Sequence, residues 1–209
     1  MKIIKTFEGF TNKESYTFDE LSQEAKNHAI QKEIESMDDT MGDWWYEPII
    51  EGETEKLEAE GFDDIDIQFS GFHSQGDGAS FTAKVTDNKK FVNETLKMKV
   101  MDKILDNISI SITRIDTRHV HENTVRLDCE VDGEDEIDFF SAGVDIDIKF
   151  DVSEYCEKID DVGEPWLKSR CKEIYQALSK EYDSYFEEDH IIADFKANDQ
   201  KFDEDGNLI

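Results

Sequence analysis

Apolar residues repeat along this chain with two different periods. From residue 17 to residue 60 the steps are of three and four. Thr17-Phe-Asp-Glu20 has the spacing of a capping box, and Ile30, Ile34 and Met37 behind it share one helical face. The pattern predicts a helix from this box to about Met37, broken by Asp38-Asp39-Thr40-Met41-Gly42. A second helix is predicted from about Asp43 to Glu60, with Pro48 in its first turns and Gly61 as its C′ residue. Ahead of both, Lys2 to Phe7 reads as a strand.

At Asp64 the period drops to two. Asp64-Ile-Asp-Ile-Gln-Phe69 alternates strictly, as a half-buried strand does, and a second strand is predicted from Ala79 to Val85. Three further alternating runs, Ile108 to Ile112, Val125 to Val131 and Val144 to Val152, are bounded by turn residues such as Asp132-Gly133 and Gly143, which suggests an antiparallel meander. Between them Phe91 to Leu105 reads as a helix, with Val92, Leu96, Val100 and Ile104 four apart. A long helical stretch covers about Ser153 to Glu188, interrupted at Gly163-Glu164-Pro165, and carries Leu167, Cys171, Ile174, Leu178, Tyr182 and Tyr185 at three- and four-residue steps. The tail can close a hairpin at Asp205-Gly206. The predicted class is α+β, an antiparallel β-sheet with helices packed on one face. It forms one domain over residues 1–209: an N-terminal strand and helices (1–61), a sheet-rich core (62–152), and an acidic C-terminal helix and tail (153–209).

Charge changes the picture. The chain has 52 Asp and Glu against 23 Lys and Arg, a net of −29 over 209 residues. Self-repulsion on that scale opposes compaction, so a fold does not need it. Disorder is excluded by 14 Phe, 6 Tyr and 3 Trp with 2 Pro. The alternation sorts the acid onto one sheet face: Asp64 and Asp66; Asp128, Glu130 and Asp132; Asp145, Asp147 and Asp151. If these strands pair, their carboxylates form a dense negative lattice, which Glu187, Glu188 and Asp189 extend along a helix. Two readings stay open. The lattice is the solvated face of an acid-biased protein, or it mimics nucleic-acid phosphates and fills a basic groove on another protein. The same charge argues against direct contact with nucleic acid or an anionic membrane. No run approaches the roughly 18 apolar residues of a membrane span, and Met1-Lys2-Ile3-Ile4-Lys5 does not lead into a signal-peptide core. Cys129, Cys156 and Cys171 are odd in number and far apart, which reads as reduced thiols in a cytosol, and without a CxxC no zinc is expected.

Two polar segments could carry chemistry. Ser70-Gly-Phe-His-Ser-Gln-Gly-Asp-Gly-Ala-Ser-Phe81 has the glycine spacing of a phosphate-binding loop, but Asp77 stands where the lysine would be and would repel phosphate. As a ligand loop it offers His73, Gln75, Asp77 and Ser80; as a tight strand connection it would spend the same side chains on turn amides. Arg118-His-Val-His-Glu-Asn123 places His119 and His121 on one face if extended, with no third metal ligand in view. Catalysis would need the two segments to meet, with His121 as a base oriented by Asp77. Asp128 to Gly133 matches half of a calcium loop, but Phe139 occupies its twelfth position. No catalytic residue, metal or cofactor is assigned.

Phe18-Asp-Glu-Leu-Ser-Gln-Glu-Ala-Lys26, the glycine-rich Phe69 to Phe81 and the Arg118 to Asn123 patch resemble small uncharacterised proteins carried by bacteriophages and prophages. That family brings no settled activity or catalytic residues. The resemblance implies action against host defence or host gene expression in the host cytoplasm. The expectation is a non-enzymatic inhibitor whose partner is a basic, nucleic-acid-binding host defence protein of CRISPR or restriction type, engaged by the acidic residues named above. The alternatives are a small-ligand binder or enzyme built on residues 70–81 with His119 and His121, and an acidic accessory protein that sequesters another phage protein.

Overall fold

The structure, a computed structural model, describes residues 15–72, 74–140 and 147–209. The predicted strand at Lys2–Phe7 lies outside them, as do His73 and Asp145. The chain divides into two compact units, one formed by its start (to Trp44) with Glu181–Ile209, the other by Trp45–Lys180.

In the first unit the capping box forms, but on a short 3-10 turn: Glu20 accepts from both the Thr17 amide and hydroxyl at 2.8 Å. The helix proper is α1 (Gln23–Thr40), started by the Ser22 side chain, which accepts the Ala25 amide. Phe18, Leu21, Ala25, Ala29 and Ile30 bury against Ile191 and Phe195 of a C-terminal helix (Glu188–Ala197) and against Phe202. The tail hairpin is present: Phe202 bridges Leu208, and Gly206 turns at φ +87°. A Cβ on Gly206 would run into the Ala25 carbonyl oxygen, so glycine is required there.

A 3-10 turn at Asp43–Trp45 spans the boundary, and the second unit then forms α2 (Glu47–Ala59), with Pro48 in its first turn and Gly61 at φ +101°. Strands β1 (Phe62–Phe69), β2 (Ala79–Val85), β3 (Ile108–Arg114) and β4 (Val125–Val131) form an antiparallel sheet in sequence order. With the helices, this is the expected α+β class. Asp64 sits at φ +53° beside a register shift, so β1 bulges where strict alternation was expected. The predicted helix Phe91–Leu105 is not continuous. A π turn (Lys90–Thr95) and the single-turn α3 (Asp102–Leu105) flank a bend in which Asn93 exchanges side-chain hydrogen bonds with Val100 N and O. Lys97 takes φ +57° there. Val92, Val100 and Ile104 are buried nonetheless: the apolar period was real and the backbone inference was not.

The meander also ends sooner than its pattern suggests. The last alternating run contributes β6 (Asp147–Asp151), which pairs with an unanticipated strand β5 (Glu136–Phe140) in a separate two-stranded sheet. Helix α4 (Val152–Tyr185) passes through Gly163-Glu164-Pro165 without interruption. Pro165 forfeits one backbone hydrogen bond, while Gly163 lets α4 lie close on the sheet, since a Cβ there would come within 2.8 Å of Leu127 Cδ1. Ile159, Leu167, Cys171, Ile174 and Leu178 of α4 have no exposed surface. Trp166 stacks on Phe62 at 5.5 Å and meets Phe91 at 5.0 Å. Glu188–Ala197 completes the helices as α5. No helix among the described residues is long and apolar enough to cross a membrane.

Candidate functional site

The expected acidic lattice depends on which strands are neighbours, and the topology separates them. β1 carries Asp64 and Asp66 at one edge of the sheet, and β4 carries Asp128 and Glu130 at the other. Two strands lie between, about 14 Å across at ~4.8 Å per strand. The intervening positions are Thr82 and Lys84 on β2 and Ser109, Ser111 and Thr113 on β3, so hydroxyls fill the middle of the face. Cations intrude as well. Lys84 Nζ reaches Asp64 at 2.5 Å, and Arg126 Nε reaches Asp128 at 2.6 Å, where Thr113 Oγ1 also donates at 2.9 Å. Asp132 lies exposed just past β4, and its amide donates to Asn107 O. Asp147 and Asp151 belong to the smaller sheet, and Asp151 is spent on the Ser153 amide and hydroxyl at 2.9 and 2.5 Å, which lowers its pKa. Glu187, Glu188 and Asp189 start α5 in the other unit. Within the four-stranded sheet, therefore, the acidic rows of β1 and β4 do not form one continuous array.

Acid gathers instead along α4 and the β4 edge. Glu157, Asp160, Asp161 and Glu164 follow i, i+3, i+4, i+7 spacing and share a helical face. Asp160 Oδ1 accepts the Cys129 amide at 2.9 Å and Glu164 Oε1 accepts the Leu127 amide at 3.1 Å. These are outward amides of an edge strand, which would otherwise offer a template for another chain. The two caps hold α4 against β4 and leave a groove of about 470 Å³ lined by Arg126, Leu127, Asp128, Asp160, Asp161, Glu164 and Pro165. Crowding is felt there. Burial pushes the Asp160 carboxyl up, and the nearby Asp128 and Glu164 charges push it further, against the pull of the Cys129 amide and of Arg126. Nothing in the sequence singled out Asp160 or Glu164, because an acid pair four apart on a helix reads as solvated surface.

The glycine-rich and histidine segments do meet. Ser70 Oγ donates to Val120 O at 3.2 Å and accepts the Gly78 amide at 3.1 Å. A Cβ on Gly78 would fall 2.6 Å from His121 Cβ. Phe72 anchors the loop against Phe69 and Tyr175, and Tyr175 Oη donates to Gly71 O at 3.1 Å. The polar side chains are engaged in local structure. Asp77 Oδ2 accepts the Ser74 amide at 2.7 Å, and His121 Nδ1 accepts the Asn123 amide at 3.1 Å. Glu122 lies 3.6 Å from Lys172, and Asp116 chelates Arg118, whose guanidinium holds that carboxyl down to about 2. Gln75 is exposed, while Ser80 is fully buried and its Oγ has no hydrogen-bond partner among the described residues. The His119 and His121 rings are 6.4 Å apart, and no cluster of three metal-ligating side chains occurs among the described residues.

Residues 44–188 match the family model of a domain of unknown function, DUF8835. The chain belongs to the DUF8835 family. The DUF8835 segment contains both sheets, α4, the groove and the two loops; it leaves out α1 and nearly all of α5. No curated protein and no solved structure matches the chain.

Proposed function

We propose that this protein is a non-enzymatic, acidic binding protein that occupies a cationic, nucleic-acid-binding surface on a partner protein through the α4–β4 flank. One observation carries the reading: Asp128, Asp160, Asp161 and Glu164 converge on an open groove whose lining includes one cation, Arg126. Along α4, Glu157 and Asp161 are exposed beside it, about 6 Å apart in axial rise. A net charge of −29 steers the encounter with a basic surface and makes it salt-sensitive. The resemblance to phage-borne proteins makes a host defence effector the partner class of choice, in the host cytoplasm.

Two charge reversals of equal size test it. Glu157→Lys/Asp161→Lys alters the groove flank, and Asp64→Lys/Asp66→Lys alters the far sheet edge. The parent protein, immobilised, should capture a basic protein from the natural host, and a DNA duplex should elute it. The flank variant should lose the captured partner and the edge variant should keep it. Equal loss in both would reduce the interaction to net charge and sink the assignment of the flank. A second reading, a small-ligand site at the paired loops, is favoured by the Gly78–His121 approach. It predicts that His121→Ala removes function while the flank reversal is tolerated.

A further inference from the structure

We propose that Cys129 and Cys156 form a reversible disulfide, so that an oxidant of the hydroperoxide class clamps the β4 edge to helix α4. Their Sγ atoms are 2.8 Å apart, and a bond requires about 2.04 Å, so closure asks for less than 1 Å of movement. Both side chains are buried, at 8 % and 5 % exposure, with 27 residues of separation along the chain. The backbones are already fixed without either thiol. The Cys129 amide is held by Asp160, which lies one helical turn beyond Cys156 on the same column of α4. Strand and helix are therefore already held together where the two sulfurs meet.

The chemistry balances with hydrogen peroxide. The Cys156 thiolate attacks one peroxide oxygen, the O–O bond breaks, and the departing hydroxide takes a proton to leave as water, giving a sulfenic acid. The Cys129 sulfur then attacks that sulfur, and the sulfenic oxygen leaves as a second water. Two thiols lose two electrons in all, and one peroxide gains them. Cys156 is placed to react first. The Cys129 S–H donates to it and lowers its pKa, whereas Cys129 itself is raised by that bond and by burial; Asp160 and Glu130 oppose a thiolate at either sulfur. Cys171 is an internal control: it is fully buried, it has no cysteine partner among the described residues, and burial pushes its thiol up to about 12.

The inference goes beyond the binding reading and needs no partner to test. The full chain is treated with hydrogen peroxide, denatured, alkylated and digested, and its peptides are mapped by mass spectrometry. The expected product is a Cys129–Cys156 cross-link with Cys171 alkylated, reversed by dithiothreitol. The oxidised protein should melt at least about 5 °C higher, because the bridge closes a loop of this length. That shift should survive Cys171→Ser and vanish in Cys156→Ser. Alkylation of both Cys129 and Cys156 after peroxide, or a sulfinic acid on Cys156 without a cross-link, would overturn the proposal. The peptide map of the unmutated protein decides this even if a serine variant fails to fold.

Discussion

The buried pair Glu53–Arg170 joins α2 to α4, and removing one partner gives a sharp test of the second unit's packing. Glu53 Oε2 lies 3.1 Å from Arg170 Nη2, with the side chains 7 % and 11 % exposed. At that distance and an effective dielectric of about 20, the attraction is roughly 5 kcal/mol, most of it offset by the cost of taking both ions out of water. Arg170→Met leaves Glu53 in the interior with Lys56 at 2.7 Å, and that lysine side chain is 61 % exposed, so its charge is screened. The residual partner puts the loss near the bottom of the range for breaking a buried pair, about 3 kcal/mol. For a chain of this size that lowers Tm by roughly 6–12 °C. Glu53→Leu with Arg170→Met removes both charges, and the double variant should return to within about 1 kcal/mol of the parent. Urea unfolding followed by tryptophan fluorescence in a Trp44→Phe background reads the second unit, which holds Trp45 and Trp166, the latter packed against Phe62 and Phe91. A double variant no more stable than the worse single variant would refute the reasoning, since the two charges would then not be coupled.

Other outcomes follow from the same geometry. Asp160→Ala and Glu164→Ala each release one β4 edge amide and should cost about 1 kcal/mol; hydrogen exchange at Cys129 and Leu127 respectively should accelerate, and unchanged protection would contradict the capping role. Burial raises the Glu60 carboxyl above its ordinary value of 4.5, with Glu173 and Glu53 adding to it and Arg170 opposing. A raised carboxyl penalises the ionised form, so stability is gained as pH falls through the folded-state pKa and is complete below about 4.5. Glu60→Gln should be more stable than the parent at pH 7 and converge with it in acid; a constant difference across pH would exclude this origin. Gly78→Ala should cost about 1–3 kcal/mol, because its Cβ would meet His121 Cβ and backbone Cα at 2.6 and 2.9 Å. A neutral result in thermal melts would mean that the two loops do not pack as described.

Much of the local structure was legible because period and punctuation agree. β2 and β4 begin and end where alternation does, and Pro48 and Gly61 bracket α2. Failures came where one specific contact outvoted the local signal. Asn93 ties down Val100 and bends a stretch with helical apolar spacing, while Gly163 reads as a breaker and serves as the point where α4 approaches Leu127. The acidic rows of β1 and β4 are separated for a related reason. Alternation assigns residues to faces, but strand order decides which rows become neighbours, and that order set Asp66 and Asp128 at opposite edges. The caps from Asp160 and Glu164 and the meeting of Cys129 with Cys156 depend on contacts about 30 residues apart, which no local pattern encodes.

The most direct test is the salt dependence of partner binding for the parent and the Glu157→Lys/Asp161→Lys variant, measured by titration from about 50 to 200 mM salt. If the groove flank stands in for phosphates, parent affinity falls by orders of magnitude over that range, and the variant binds weakly throughout with a shallower slope. Parent binding that holds steady across the range, or a variant that follows the parent curve, would contradict an electrostatic contact at α4 and β4.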